Sequence, residues 1–240
     1  MVDHSIKGKT ALITGGAKNL GGLIALDLAA QGATAIAIHY NSAGTRPDAD
    51  ATVAALKMQG VRAQAFQADL TTAAANEKLF TDVVSALGKP DIAINTAGKV
   101  LKKPILETSE DEYDEMFAVN SKAAYFFIKE AGRHLNDNGK LLTIVTSLLG
   151  AYTPFYSTYA GSKAAVEHVT RAASKEFGAR GISVNAIGPG PMDTPFFYGQ
   201  EAPEAVAYHK TAAALSSLSK TGLTDIEDIA PYIRFMVYEG

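Results

Sequence analysis

The sequence predicts an α/β fold in which helices cover both faces of a parallel sheet. Short apolar runs alternate with segments of helical periodicity along the 240-residue chain, a pattern typical of βαβ units. The apolar runs are too uniformly hydrophobic to leave one face in water, so the sheet is expected to be buried on both sides. Because no long polar linker and no repeat divides the chain, we expect a single domain over residues 1–240.

Six apolar runs predict strands, and six periodic segments predict helices. The strands are Thr10 to Thr14, Ala33 to His39, Arg62 to Gln67, Asp91 to Asn95, Lys140 to Ser147 and Ile182 to Ile187. The helices are Leu20 to Leu28, Val53 to Met58, Asn76 to Leu87, Glu110 to Leu135, Tyr156 to Phe177 and Ile226 to Tyr238. Asn41 to Asp50 and Gly188 to Glu204 are predicted to be long irregular stretches. Right-handed crossovers make such a sheet doubly wound and Rossmann-like, with ligands held by loops at the carboxyl ends of the strands.

The composition indicates a globular protein with a small-molecule partner. Apolar residues make up 47% of the chain and charged residues 20%, which is enough for a sizeable core. Lys and Arg number 22 against 25 Asp and Glu, a net charge of -3 that gives no reason to expect nucleic acid or an anionic membrane. With no cysteine, disulfides, thiolate metal sites and cysteine nucleophiles are excluded. No secretory signal or membrane-spanning run is visible, so we expect a cytoplasmic protein without a metal site.

A glycine-rich turn, Thr14 to Gly22, follows the first predicted strand and opens the first helix. Glycines let the backbone approach a pyrophosphate, and the helix that follows directs its partly positive end toward that charge. The alternative is a tight turn whose glycines serve packing alone.

Tyr159 and Lys163 lie four residues apart at the start of a predicted helix, so they share one face. A free tyrosine, with a pKa of about 10, is a slow general base at neutral pH. Lowering that pKa to about 7 requires roughly 4 kcal/mol, which a cation about 4 Å away at an effective dielectric near 20 can supply. The spacing therefore favours a phenol whose pKa is lowered by Lys163, although many helices carry such a pair for packing.

Taken together and in this order, the motifs resemble the short-chain dehydrogenase/reductase family over nearly the whole chain. Its serine, tyrosine and lysine are matched by Ser147, Tyr159 and Lys163, and its helix asparagine is matched by Asn120. The resemblance implies that Tyr159 exchanges a proton with a carbonyl or alcohol oxygen, which Ser147 orients. It also implies that Lys163 binds the nicotinamide ribose, that Asn120 holds a water near Lys163, and that the protein is a homodimer or homotetramer.

The family fingerprint also covers the cofactor site. Asn19 stands where the family usually has a glycine, and Asn is the next most tolerant residue of left-handed backbone. Thr96 replaces the second Asn of the family's Asn-Asn-Ala-Gly turn, and Asp69 resembles the residue beside the adenine. A helix cap and a strand-ending turn are the plain alternatives for these positions. The resemblance implies cofactor binding by Gly15, Lys18, Asn19, Leu20, Gly21, Tyr40, Asn41, Ser42, Asp69, Leu70, Asn95, Ala97, Gly98, Tyr159, Lys163, Pro189, Gly190 and Thr194.

The end of the second predicted strand favours NADP(H) over NAD(H). An NAD site of this kind normally carries Asp or Glu there, because the carboxylate binds the ribose hydroxyls and repels a 2′-phosphate. Here the chain reads His39, Tyr40, Asn41 and Ser42, and Lys18 in the preceding turn would attract a phosphate. His39 is interpreted as a strand-end residue with a satisfied hydrogen bond rather than as a base.

The substrate is left open by the sequence. Six aromatic residues either wall an apolar or aromatic carbonyl pocket or pack a lid: Tyr152, Phe155, Tyr156, Phe196, Phe197 and Tyr198. Lys102 and Lys103 would suit an acidic acyl carrier protein, which makes a 3-oxoacyl-thioester reductase one alternative. Asn19 hints at a pteridine reductase, but Ser147 stands where that group usually carries Asp. A noncatalytic NADP(H)-binding sensor is a further alternative.

The family resemblance implies one more strand after the last helix. The sequence reaches Glu239 and Gly240 directly after the helical run Ile226 to Tyr238. We therefore predict the fold without this final strand. Either the sequence is trimmed or the strand is absent, and in the second case a sheet edge would be open.

Overall fold

The computed structural model describes residues 5–212 and 218–238, and these residues contain the predicted parallel sheet. Its strands are β1 (Thr10–Thr14), β2 (Ala35–Tyr40), β3 (Arg62–Gln67), β4 (Ile92–Asn95), β5 (Lys140–Ile144) and β6 (Ser183–Ile187). They pair in parallel in the order β3-β2-β1-β4-β5-β6. Every residue of β1, β2 and β4 is buried, as expected for strands covered on both faces. The predicted doubly wound α/β fold is confirmed.

Helices cover the two faces of the sheet in separate layers. Within the described residues they are α1 (Asn19–Ala30), α2 (Arg46–Met58), α3 (Ala73–Leu87), α4 (Glu110–Phe117), α5 (Ala123–His134), α6 (Ser157–Glu176), α7 (Pro195–Tyr198), α8 (Pro203–Ala212) and α9 (Ile226–Tyr238). One apolar core joins the sheet to α1, α2 and α9, and a second core joins it to α3, α5 and α6. The catalytic candidates lie where these layers meet the carboxyl ends of the strands.

The two long irregular stretches predicted from the sequence are wrong in part. Helix α2 begins at Arg46, inside the first stretch. Helix α7 lies within the second stretch, and α8 begins near its end, at Pro203. Each of these helices carries a proline in its first turn, namely Pro47, Pro195 and Pro203. A proline there loses no helical hydrogen bond, because the first N–H groups of a helix have no partner within it. These prolines therefore start helices instead of ending them.

The long helix predicted from Glu110 to Leu135 is interrupted in the middle. A π-helical turn, Ala118–Lys122, separates α4 from α5 and contains Asn120. Such turns insert an extra residue into the helix and often occur at functional sites, because they redirect one side chain. Here the turn contains Asn120, which is buried and bonds the backbone of Lys99, four residues after β4.

The order of the strands creates a crevice between β1 and β4. These neighbours are joined in register from Ala11 and Ile92 to Thr14 and Asn95, but the chain leaves them toward opposite edges of the sheet. Ligands bind at such switch points, outside the carboxyl ends of the strands. The Thr14 hydroxyl donates to Asn95 Oδ1 at 2.5 Å and ties the two strand ends together.

In the described part of the chain, β6 is the last strand at its edge of the sheet. Glu239 and Gly240, where the sequence comparison expected a further strand to begin, lie outside the described residues, as do Met1 to His4. None of the helices in residues 5–212 and 218–238 is long and apolar enough to cross a bilayer.

We predict that Phe127→Ala destabilises the fold by about 4 kcal/mol, since truncating a fully buried aromatic side chain removes its transfer energy and leaves a cavity. Phe127 contacts Phe80 in the second core, with ring centroids 5.2 Å apart. Urea denaturation would measure the change. Met58→Ala is the control, because Met58 is 83% exposed and its loss is expected to cost under about 0.5 kcal/mol. Equal effects of the two substitutions would contradict the assignment of the core.

Candidate active site

The glycine turn between β1 and α1 is built from close backbone approaches. Gly15 has a φ of +64°, and a Cβ on Gly21 would lie 2.3 Å from the Gly15 carbonyl oxygen. Asn19 adopts a φ of +50°, so the left-handed conformation expected where the family has glycine is confirmed. The turn therefore presents backbone at the start of α1, with little room for side chains.

His39, at the end of β2, supports this turn. Its Nε2 donates to the Ala68 carbonyl oxygen at 2.8 Å, and its Nδ1 accepts a hydrogen bond from the Gly15 amide at 3.4 Å. Burial lowers the pKa of the imidazole, which keeps it in the neutral form that both bonds require. The interpretation of His39 as a hydrogen-bonded strand-end residue agrees with this geometry.

Lys18 lies in the glycine turn, but its ammonium is not free. Its ammonium forms a 2.6 Å ion pair with Asp48, in the first turn of α2, and both side chains are about half exposed. Exposed pairs of this kind contribute little to stability and exchange partners readily. The sequence missed Asp48 because it fell in the stretch taken as an irregular loop.

The turn after β4 closes the floor of the crevice. Asn95 is buried, and its Oδ1 accepts from the Ala97 amide at 3.2 Å as well as from Thr14. Thr96 donates through its hydroxyl to the Thr14 carbonyl oxygen at 2.7 Å. Thr96 can thus replace the family's second asparagine, because its hydroxyl makes a bond between the two strand ends.

Asn120 organises the segment that follows this turn. Its Oδ1 accepts from the Lys99 amide and its Nδ2 donates to the Lys99 carbonyl oxygen, both at 2.8 Å. A Cβ on Gly98 would lie 3.1 Å from Asn120 Oδ1 and 3.2 Å from Lys163 Nζ. The asparagine therefore fixes the backbone beside Lys163, a role that the sequence did not predict for it.

Lys163 is buried, and its ammonium donates to the Ile144 carbonyl oxygen at 2.8 Å. Burial lowers its pKa to about 8, because an ammonium loses hydration in the apolar interior. At neutral pH most of the lysine still carries its charge.

Tyr159 is buried against the same cleft, one helical turn before Lys163. Burial raises the pKa of the phenol above its ordinary value, and a hydrogen bond with the Thr146 side chain acts in the opposite direction. The prediction that the pKa of Tyr159 is brought down toward neutrality is wrong for this structure, because desolvation outweighs every influence that would lower it. The phenol is accordingly neutral at pH 7.

Ser147 follows β5 and faces the cleft. Its amide donates to the Pro189 carbonyl oxygen at 3.0 Å, which joins the serine to the Pro189–Gly190 segment. Sequence reasoning missed the preceding residue, Thr146, whose hydroxyl accepts from the Leu148 amide at 3.3 Å and contacts the Tyr159 phenol. The signal that the sequence offered was a second hydroxyl side chain, directly before the serine that matches the family.

One cleft of about 820 Å³ connects the glycine turn to Tyr159. It brings together most of the predicted site residues: Gly15, Lys18, Asn19, Leu20, Gly21, Tyr40, Asn41, Asp69, Leu70, Ala97, Gly98, Ser147, Tyr159, Lys163, Pro189, Gly190 and Thr194. Three others, Ser42, Asn95 and Asn120, are not among its lining residues. Asn95 and Asn120 act through the backbone beside the cleft, as described above. Asp69 also accepts from the Thr71 amide at 3.0 Å, but the helix cap that was its plain alternative is supplied by Thr72.

The aromatic wall, which is the set of aromatic side chains that line the cleft, is smaller than the sequence suggested. Tyr156, Phe196 and Phe197 line the cleft, and the Phe196 ring centroid lies 6.3 Å from that of Tyr159. Tyr152, Phe155 and Tyr198 do not line it. Tyr152 is 98% exposed, so spacing near the catalytic helix was not enough to place these rings in one pocket.

We predict that Gly21→Ala weakens NADPH binding at least about tenfold, since the added Cβ would displace the Gly15 carbonyl and reshape the turn. Gly22→Ala is the matched control, because its Cβ would meet only atoms 3.6 Å away. Titration of NADPH fluorescence would measure both affinities. Unchanged binding by Gly21→Ala would exclude the turn as the pyrophosphate site.

Known proteins match this chain over nearly its whole length. The family model described as "Enoyl-(Acyl carrier protein) reductase" matches residues 15–240. The chain is 32% identical to a short chain dehydrogenase of Emericella nidulans over 97% of this chain and 89% of the other. It is 33% identical to a hydroxynaphthalene reductase of Aspergillus fumigatus, over 96% of this chain and 86% of that protein.

Solved structures agree with these relatives. A Burkholderia cenocepacia protein described as a dehydrogenase, with NADP bound, is 70% identical and superposes with a TM-score of 0.98 over 100% of this chain and 91% of that one. A blue fluorescent protein from a metagenomic library, in complex with NADPH, is 32% identical with a TM-score of 0.87, over 98% and 92% of the two chains. With the sheet order, the glycine turn and the Tyr159 helix, these matches show that the chain belongs to the short-chain dehydrogenase/reductase family.

Proposed function

We propose that the protein is an NADP(H)-dependent oxidoreductase that interconverts a carbonyl compound and a secondary alcohol, with Tyr159 as the proton donor and acceptor. One observation carries the proposal: Tyr159, Ser147 and Lys163 share a single cleft with the glycine turn. A dinucleotide lying on that turn reaches toward Tyr159 along the carboxyl ends of the strands.

The residues at the adenosine end fit NADP(H). No Asp or Glu ends β2, where a carboxylate would select NAD(H). Lys18 would bind a 2′-phosphate after leaving Asp48, since the phosphate carries more negative charge than one carboxylate. The NADP in the 70% identical Burkholderia protein supports the same choice.

The raised pKa of Tyr159 suits the reduction of a carbonyl. A neutral phenol holds the proton that the carbonyl oxygen needs. Thr146 is its hydroxyl hydrogen-bond partner, and Ser147 lines the same cleft. The reduced nicotinamide supplies the hydride. As the proton leaves, the phenolate that forms at Tyr159 is stabilised by the nearby ammonium of Lys163.

The cleft favours an apolar or aromatic carbonyl substrate. Tyr156, Phe196 and Phe197 form its wall beside Tyr159, and rings of this kind pack well against planar compounds. Carrier-protein docking through Lys102 and Lys103 has no support, because Lys102 is paired with Glu201 and Lys103 with Glu112.

A panel of ketones, quinones, pterins and acyl thioesters would separate these functions. NADPH consumption with an aromatic ketone or quinone supports the proposal, and consumption with acyl thioesters alone would favour the carrier-protein alternative. NADPH binding without consumption of any carbonyl would favour a noncatalytic sensor. A cytoplasmic homodimer or homotetramer completes the proposal, and light scattering would test the assembly.

We predict that Tyr159→Phe lowers kcat about a thousandfold, because it removes the proton donor while keeping the ring. The NADPH dissociation constant should change little, since the phenyl group remains in place. Tyr152→Phe is the control. This variant should retain full activity, because the Tyr152 side chain lies in solvent. Near-normal turnover by Tyr159→Phe would refute the mechanism.

We also predict that kcat/KM for NADPH falls as the pH rises above about 8, the pKa of Lys163 in the folded protein. The sign follows from the lowered pKa: the ammonium is present below it and lost above it. Tyr159 cannot produce this decline, because its pKa is raised above the ordinary value for tyrosine. A profile that stays flat well beyond pH 9, about one unit higher, would contradict a role for the Lys163 charge.

A further inference from the structure

A second group of ionisable side chains lies beside the aromatic wall and outside the proposed catalytic set. The Glu201 cluster consists of Lys102, Tyr156 and Glu201. The Tyr156 hydroxyl donates to Glu201 Oε1, and Lys102 Nζ lies 2.5 Å from Glu201 Oε2. The Lys102 ammonium also lies over the Tyr156 ring, 5.7 Å from its centroid.

The carboxylate of this cluster is deeply buried. The Glu201 side chain is 0% exposed, and that of Lys102 is 20% exposed. Burying a carboxylate is costly unless it is paired and hydrogen-bonded, and here each oxygen has its own donor. Burial and the Glu201 hydrogen bond raise the pKa of Tyr156, so its hydroxyl stays protonated and able to donate. The cluster is thus a matched set of three groups, which fixes the position of Glu201.

The three residues belong to three different parts of the chain. Lys102 lies in the segment after β4, Tyr156 immediately precedes α6, and Glu201 lies between α7 and α8. The first two parts are already joined, because the Lys103 amide donates to the Phe155 carbonyl oxygen at 2.7 Å. Glu201 adds the third part, the α7–α8 segment.

Near Glu201, few other side chains of the α7–α8 segment are buried. Its neighbours Ala202, Pro203 and Glu204 are exposed, and Phe196 is 41% exposed although it faces Tyr159. The Tyr156 ring also lies beside Tyr159, with centroids 6.2 Å apart. The cluster therefore links both aromatic neighbours of the proposed proton donor.

We propose that Glu201 is a positioning residue, which holds the α7–α8 segment against Tyr156 and Lys102 and so fixes the aromatic wall that a bulky carbonyl substrate packs against. The role in substrate binding rests on the proposed function. The contacts that link the three segments do not depend on it. Glu201 touches neither Lys163 nor the glycine turn, so its effect is confined to the substrate side of the cleft.

The test compares Glu201→Gln, Glu201→Ala and the control Glu204→Gln, which removes an exposed charge three residues away. We expect KM for an aromatic ketone to rise about tenfold in Glu201→Ala and less in Glu201→Gln, which keeps an acceptor for Tyr156. The NADPH dissociation constant and kcat should change less than about twofold, whereas general loss of folding would alter all three. Glu204→Gln should match the wild type.

A second measurement does not depend on turnover. Trypsin should cut after Lys210 in α8 about fivefold faster in Glu201→Ala, because the α7–α8 segment opens more often. Lys102→Met should also speed this cleavage. The double variant with Lys102→Met and Glu201→Gln should change the cleavage rate by less than the sum of the two separate effects. If the Glu201 variants do not fold, KM and the rate of proteolysis are measured on Lys102→Met instead.

Unchanged KM and unchanged proteolysis in folded variants would overturn the proposal, as would strictly additive effects of the two substitutions. If the wild type reduces no carbonyl but proteolysis and its coupling behave as expected, the cluster holds the segment and only the proposed function fails.

Discussion

The proposed chemistry depends on one buried ammonium group at the switch point of the sheet. Lys163 reaches the Ile144 carbonyl oxygen at the end of β5, and Gly98 leaves the space that its Nζ occupies. Asn120 fixes the backbone beside that glycine through two bonds to Lys99. Without these arrangements, the charge would lie in an apolar interior with no acceptor, at a cost of several kcal/mol. The neighbouring phenol would then lack the cation that stabilises its deprotonated form.

Local chemistry made much of the fold predictable. Apolar strands predicted a sheet covered on both faces, and the observed bounds of β1 and β3 match the predicted ones. Asn19 was predictable for the same reason, since left-handed backbone depends on the residue itself. The prolines in the first turns of α2, α7 and α8 were misleading, because proline is compatible with the first turn of a helix and with a loop alike.

Properties set by distant residues were less accessible from the sequence. The pKa of Tyr159 depends on how fully the surrounding elements bury it, and that burial reversed the predicted direction. Asp48 and Glu201 pair with lysines 30 and 99 residues away, separations that no spacing rule reveals. The aromatic wall likewise required knowing which rings turn inward, and three of the six do.

The prolines at the helix starts have a thermodynamic consequence for the cleft. Pro47, Pro195 and Pro203 begin segments that border it, and each has a backbone angle fixed by its own ring. A residue restricted in this way has fewer conformations in the unfolded chain, so ordering it costs less conformational entropy. The segments at both ends of the cleft are therefore partly preorganised before any ligand arrives, and less of the binding free energy is spent on ordering them.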